Sequence, residues 1–298
     1  MSTYNGEKYI REQLDSIQKQ SYPNFSLLIR DDGSTDATVA IIREYQKKYS
    51  NIRLITGKNL GVCSSFFTLC QKADGQAEYY ALADQDDYWL PDKILAAVQR
   101  MEREIQKEKK TVSILYAGNK TLVDERLLPI HSEIKYSPNQ IPSFGNALVE
   151  NICTGCTCVM NQALLTKLCY YIPNQVIMHD WWMYLLAASL GKVIYDRHSY
   201  LLYRQHGANV YGTMIKKRAL WKHRWNELKK KRGRVYRQIE TLKRTVPLSL
   251  EQKEMADKVL HSQKSIAGKW KLLRDKRIGR QGKGQRMVYM GLVLLGKL

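Results

Sequence analysis

Hydrophobic positions in the first 125 residues switch repeatedly between helical and extended spacing, which predicts alternating helices and strands. Ile10, Leu14 and Ile17 fall on one face of a helix over residues 7–20, Ser21-Tyr22-Pro23-Asn24 breaks it, and residues 25–30 form a short apolar strand. A helix over 37–49, a strand over 51–56, a helix over 64–72 and a strand over 78–83 repeat the unit, and a long helix starts at Pro91. Such alternation predicts an α/β fold with a Rossmann-like, mostly parallel sheet. Farther on, residues 180–190 read as a helix and 192–195 and 200–204 as short strands that complete the same domain.

Beyond Tyr211 the pattern changes. Trp221, Trp225, Leu228, Val235, Ile239 and Leu242 keep a three-four spacing, interrupted at Arg232, that predicts an amphipathic helix. A second helical stretch over 250–273 follows Pro247, and an apolar run at 287–295, too short to span a bilayer, ends the chain. The expected division is a domain over 1–212 and a basic amphipathic helical tail over 213–298.

Charge sharpens that division. Of the formal net charge of +20 on 298 residues, residues 214–286 hold 24 Lys or Arg against 6 Asp or Glu, a net of +18, whereas residues 1–213 hold 23 against 22, a net of +1. Dense basic charge suits nucleic acid or an anionic membrane surface. Trp221 and Trp225 on one stripe, with the apolar end, favour the membrane interface over nucleic acid. A solvated hairpin packed on the body is the plainer reading. No window is long and apolar enough to span a bilayer and no signal-peptide pattern opens the chain, so the expected location is cytoplasmic, peripheral at the inner membrane face. Cys153, Cys156 and Cys158 lack a fourth ligand with zinc-site spacing and read as buried, reduced thiols.

Two acidic clusters follow strands. Asp31-Asp32-Gly33-Ser34-Thr35-Asp36 comes after the strand at 25–30, and Asp84-Gln85-Asp86-Asp87 after the strand at 78–83. Loops at the carboxyl ends of parallel strands collect ligands. Asp84-x-Asp86 offers hard oxygens to Mg²⁺ or Mn²⁺, ions that bridge diphosphates, although capping of the helix at Pro91 accounts for the same residues. A carboxylate in the first cluster suits the N3–H of uracil or thymine, or a ribose hydroxyl; a capping turn is the alternative.

Ser2-Thr3-Tyr4-Asn5-Gly6-Glu7, the 31–36 cluster, Asn59-Leu60-Gly61, the 84–87 cluster, and Asn151 with Thr154-Gly155-Cys156 together resemble family 2 glycosyltransferases of the GT-A fold. The resemblance runs over residues 2–212. His179-Asp180-Trp181-Trp182 and Tyr203-Arg204-Gln205-His206-Gly207 resemble the rhamnosyltransferase-like branch. This resemblance implies a metal-dependent, inverting transfer from a dTDP- or UDP-sugar to a glycan or lipid-linked saccharide in cell-surface polysaccharide synthesis, with rhamnose as the suggested sugar. It implies that Thr3, Tyr4, Asp31 and Asp32 hold the nucleoside and that Asn59, Gln85, Arg204 and Gln205 also meet the donor. Asp84 and Asp86 would hold the metal and diphosphate, Asp86 as the direct ligand, with His206 as a further one. Asp180 is the implied base for the acceptor hydroxyl, against the alternative of a helix N-cap. Trp181 and Trp182 would line a sugar floor or belong to the core.

One departure stands out. The family's chain opens with an apolar strand before the Thr-Tyr-Asn motif, whereas Met1 directly precedes Ser2 here. The expectation is a sheet without its first strand, from a truncated or misassigned start. Two rival classes remain: a nucleotidyltransferase, for which a Gly-rich phosphate loop is absent, and a non-catalytic basic binding module.

Overall fold

The structure is a computed structural model that describes residues 1–73, 75, 77–108, 112–130, 140–207 and 233–298. Three βα units open the chain. Strands β1 (Ser2–Thr3), β2 (Leu27–Asp31) and β3 (Ile52–Thr56) pair in parallel in that order, with α1 (Ile10–Gln18) and α2 (Thr38–Lys48) as the crossovers and α3 (Val62–Lys72) following. Ile10, Leu14 and Ile17 of α1 bury the predicted face against Leu27 and Ile29 of β2 and Ile41 and Ile42 of α2. Ser2 and Thr3, at the start of the Thr-Tyr-Asn motif, form a strand of two residues. Short as it is, it covers β2 at Arg30 and Asp31, and Ser2 N donates to Ala83 O at 3.3 Å.

The second sheet takes β4 (Tyr79–Ala81), β5 (Tyr88–Trp89), β6 (Ser113–Val123), β7 (Cys158–Asn161) and β8 (Gly191–Arg204) in the order β4-β7-β6-β8-β5. Its helices are α4 (Lys93–Lys107), α5 (Phe144–Ala147), α6 (Gln162–Tyr170) and α7 (His179–Leu190). The α/β class is as expected, and the parallel sheet holds for β1 to β3. The second sheet is mixed: β6 and β8 run parallel, whereas β4–β7, β6–β7 and β5–β8 are antiparallel. The two short strands expected at 192–195 and 200–204 are one strand. Register shifts beside Asn119 take up the extra residues of β8, and the ladder resumes at Thr121 and Leu202. Helix α7 is apolar all round, and such a helix must be buried; Trp182 through Ala187 all are.

The C-terminal segment forms α8 (Arg234–Thr245), α9 (Leu250–Ser262), α10 (Ile266–Arg274) and α11 (Lys283–Leu294). The stripe Val235, Ile239, Leu242 is buried, while Trp221, Trp225 and Leu228 lie outside the described residues. The single stretch expected over 250–273 is two helices. A capping box starts the first, with Ser249 Oγ accepting from Gln252 N at 3.2 Å and Gln252 Oε1 from Ser249 N at 2.9 Å. Ser265 Oγ caps the second through Gly268 N at 3.0 Å. Val235, Val259, Leu272 and Val293 join the cluster that holds Phe66, Trp182 and Leu185, so these helices share a core with the body.

Candidate functional site

The first acidic cluster folds back on itself. Asp31 Oδ2 accepts from Gly33 N at 3.1 Å and Ser34 N at 2.9 Å, and Oδ1 accepts from Thr3 Oγ1 at 3.1 Å. Gly33 has φ of +84°, the left-handed region that the turn requires, and a Cβ there would stand 3.0 Å from Asn59 N. Asp32 pairs with the buried Arg30 and accepts from Leu60 N at 2.8 Å and Gly61 N at 2.9 Å. Asn59 Oδ1 accepts from Gly61 N at 3.1 Å. Asp31 and Asp32 are thus buried carboxylates held by the chain's own donors, and they fix the loops around them. Thr3 is buried beside them, while Tyr4 is exposed at the rim. Gln85 clamps the Tyr4 backbone from across the cleft, Oε1 accepting from Tyr4 N at 2.7 Å and Nε2 donating to Tyr4 O at 2.9 Å. Segments 2–6, 31–36, 59–61 and 84–87 therefore form one connected rim.

The second cluster concentrates negative charge. Asp86 Oδ2 lies 2.8 Å from His206 Nε2, whose ring packs on Tyr9 with centroids 4.8 Å apart. Asp87 Oδ1 accepts from Arg204 N at 3.2 Å, and its buried Oδ2 has no partner among the described residues. One ligand atom each from Asp84, Asp87 and Cys156 falls within 4.8 Å of the others. Burial first, then repulsion from Asp86 and Asp180, lifts the Asp84 carboxyl to about 7. Burial, then Asp86 and Asp84, holds Asp87 well above the usual carboxylate range. Crowded hard oxygens with an orphaned carboxylate atom fit a divalent cation. None of these residues caps α4, whose N-cap position is Asp92, so the capping alternative does not apply to them.

Arg204, expected at the donor diphosphate, is fully buried. Its Nε donates to Asp86 O at 2.8 Å, Nη1 to Glu125 O and Nη2 to Glu12 Oε2 at 2.6 Å, and the guanidinium lies 4.6 Å from the Tyr9 ring centre. In this arrangement it ties the 84–87 loop to Glu125 and Glu12. Gln205 N donates to Val123 O at 2.8 Å, which continues the β6–β8 ladder one residue.

Asp180 is the second residue of α7, whose N-cap is Met178. Its Oδ2 accepts from Gly155 N at 2.9 Å and its Oδ1 from Trp181 N at 2.7 Å. Gly155 makes this approach possible, because a Cβ there would meet His179 Nε2 at 3.0 Å. Trp182 is core, with Nε1 donating to Tyr171 O at 2.9 Å; Trp181 is half-buried and donates to Ala147 O at 2.7 Å.

The sequence reading passed over several residues that the fold brings to this place. Lys120 of β6 donates to Thr154 Oγ1 at 2.9 Å, sits 4.5 Å from the Tyr203 ring centre and opposes the charge of Asp84. His179 is buried and stacked on Phe66 at 4.1 Å; burial lowers its pKa, so the ring is held neutral. Lys93 is buried 3.7 Å from the Trp89 ring centre, and burial lowers its pKa to about 8. Nothing in the local pattern around Lys120 or Lys93 marks them; His179 stands inside the His179-Asp180-Trp181-Trp182 string.

Residues 1–168 match the family described as Glycosyl transferase family 2. The chain belongs to that family. As a family 2 glycosyltransferase it is an enzyme, which replaces the nucleotidyltransferase and basic-module readings. It is 33% identical over 235 residues to the dTDP-rhamnosyl transferase RfbG of Shigella flexneri, covering 74% of this chain and 77% of that one. It is 24% identical over 231 residues to the uncharacterized glycosyltransferase RP339 of Rickettsia prowazekii, covering 76% and 70%. Among solved structures, residues 1–349 of S. aureus TarS in complex with UDP-GlcNAc superpose with a TM-score of 0.59 at 18% identity, over 100% of this chain and 80% of that one. The mannosyltransferase PcManGT of Pyrobaculum calidifontis, in complex with GDP-Man and Mn²⁺, gives 0.57 at 17% identity, over 91% and 70%. These likenesses show the GT-A glycosyltransferase fold.

Proposed function

We propose that this family 2 glycosyltransferase moves a sugar from a nucleotide diphosphate to a hydroxyl of a glycan or lipid-linked saccharide, with inversion at the anomeric carbon. The similarity to a dTDP-rhamnosyl transferase supports dTDP-rhamnose as the donor, with a UDP-sugar as the other candidate. The observation that supports the reading is geometric: ligand atoms of Asp84, Asp87 and Cys156 fall within 4.8 Å of one another, and Gly155, next to Cys156 in the chain, donates to Asp180 Oδ2 at 2.9 Å. Residues 1–212 do the chemistry in this reading, and residues 213–298 hold the enzyme at the inner face of a membrane, where a lipid-linked acceptor is met.

Asp84, Asp86 and His206 would hold Mg²⁺ or Mn²⁺, the ions for which a bridging role between carboxylates and diphosphate is suited. A bound cation there supplies Lewis-acid neutralisation of the departing diphosphate. Tyr4, exposed at the rim, faces the nucleoside, while Thr3, Asp31, Asp32, Asn59 and Gln85 act by shaping the loops that surround it. Arg204 positions the 84–87 loop, and Gln205 extends the strand that carries Arg204. Asp180 takes the acceptor hydroxyl's proton as that oxygen forms its bond to the anomeric carbon, and the bond to the diphosphate oxygen breaks with its electron pair leaving on the nucleotide. The backbone donors at Gly155 and Trp181 keep the carboxylate aimed. The neutral His179 beside it adds no positive charge to repel the cation.

The test is a screen of nucleotide sugars for hydrolysis or transfer with and without added Mg²⁺ or Mn²⁺. Cation-dependent release of a nucleoside diphosphate is expected, and it is abolished by EDTA. Turnover of no nucleotide sugar by folded enzyme, with either ion present, would remove the proposal.

A further inference from the structure

Helix α11 has apolar residues on both of its faces. Tyr289, Leu292 and Val293 are buried in the shared core, while Met287, Met290 and Leu294, spaced three and four apart, are exposed. Helix α10 lies against it, and Lys269 Nζ donates to Leu294 O at 2.7 Å. Its Ile266 and Trp270 are exposed as well, at 73% and 53%. Of the thirteen large hydrophobic residues exposed among the described ones, seven fall between Ile266 and Leu295. Scattered surface hydrophobics are ordinary; concentration on two adjoining helices is not.

The same stretch is strongly basic. Residues 263–298 contain ten Lys or Arg and one acidic residue, Asp275, a net of +9. That one carboxylate is neutralised by Lys258 at 2.8 Å and Arg277 at 2.7 Å. An occupant of this surface must therefore welcome apolar side chains and carry negative charge. A second copy of the chain brings its own +9 and is repelled. Nucleic acid satisfies the charge but leaves Met287, Met290 and Leu294 in water. An anionic phospholipid surface satisfies both. Among the described residues no helix is long and apolar enough to cross a membrane, so the contact is in the plane of the interface.

We infer that the outer face of α10 and α11 docks this enzyme on anionic lipid, with Trp270, Met287, Met290 and Leu294 entering the boundary between headgroups and acyl chains. Lys271, Arg274 and Lys276, all exposed, reach headgroup phosphates while their stems cover the apolar edge. The inference deepens the lipid-linked acceptor reading and rests on it only for its purpose, because vesicle binding needs neither donor nor turnover.

Flotation of the full chain with phosphatidylcholine vesicles, and with vesicles carrying about one-third phosphatidylglycerol, tests it. Recovery with the anionic vesicles alone, falling as salt is raised, is expected. Met287→Ser with Leu294→Ser should weaken partitioning by about tenfold or more, and Lys271→Glu with Arg274→Glu should do the same at low salt. The fluorescence lost in Trp270→Phe should shift to the blue in the parent when anionic vesicles are added. The inference is overturned by equal recovery from neutral and anionic vesicles, by parental binding of the double serine variant, or by an unshifted Trp270 component. A concentration-dependent dimer that the serine substitutions dissolve, with no vesicle binding, overturns it as well. Failure here, with donor turnover intact in solution, leaves the catalytic reading standing.

Discussion

His206 Nε2 stands 2.8 Å from Asp86 Oδ2 across 120 residues of chain. The contact brings the end of β8 to the loop after β4, and it is fixed from behind by Arg204, which binds the Asp86 carbonyl. A carboxylate whose partner ring is itself held by Tyr9 is fixed in its orientation.

Removing either partner should therefore loosen the cation site to different degrees. Calorimetry with Mn²⁺ and a nucleoside diphosphate is expected to show no measurable binding for Asp86→Ala and about 10–100-fold weaker binding for His206→Ala. Parental affinity in Asp86→Ala would take Asp86 out of the ligand set.

Asp180→Asn keeps an oxygen to accept from Gly155 N but cannot take a proton at neutral pH. Turnover should fall by about 10²–10⁴-fold, with the donor KM nearly unchanged. A matching rise in KM, with kcat retained, would assign Asp180 to binding instead of proton transfer.

Arg204→Met tests whether this arginine serves the loop or the ligand. Glu12 is half exposed, so its ion pair contributes little; the cost lies in the carbonyls of Asp86 and Glu125, which lose their donor. Urea unfolding should report a loss of about 2–5 kcal/mol. Arg204→Lys should not restore it, because a point charge cannot serve three diverging acceptors. Parental stability together with lost donor binding would instead indicate contact with the diphosphate.

Lys93 predicts a pH dependence whose direction is fixed. Its pKa falls from 10.5 in the unfolded chain to about 8 in the fold, so between those values the unfolded state binds the proton more tightly. Stability rises with pH across that window, and the cost of the buried charge is fully present below about pH 8. The complete displacement corresponds to about 3 kcal/mol. Lys93→Met, which keeps an apolar stem against Trp89, should raise the melting temperature at pH 7, and the gain should vanish near pH 10.5. A gain that stays constant with pH would show that Lys93 does not titrate in this range.

Much of the fold was open to reading from local pattern. Ile10, Leu14 and Ile17 announced the buried face of α1 because a helix places such positions on one side whatever lies opposite. The acidic loops at 31–36 and 84–87 were visible because turn-forming residues and carboxylates followed apolar strands. Strand β6 escaped, since its apolar residues are interrupted by Asn119, Lys120 and Thr121 and follow neither period. The antiparallel pairing of β7 escaped too, because register depends on partners that no window contains.

The sequence by itself determined the first helices and strands, which loops carry acid and where the basic charge lies, because each of these follows from spacing and composition along the chain. Only the tertiary structure decided that Asp31 and Asp32 turn inward to their own loops, that Arg204 is buried against the Asp86 carbonyl, and that, among the described residues, α10 and α11 expose apolar side chains. Those outcomes depend on which strand ends and helix faces the packed core brings together. Contacts across tens to hundreds of residues are set by sheet order and by the burial of α7, neither of which a side chain's neighbours in sequence can specify.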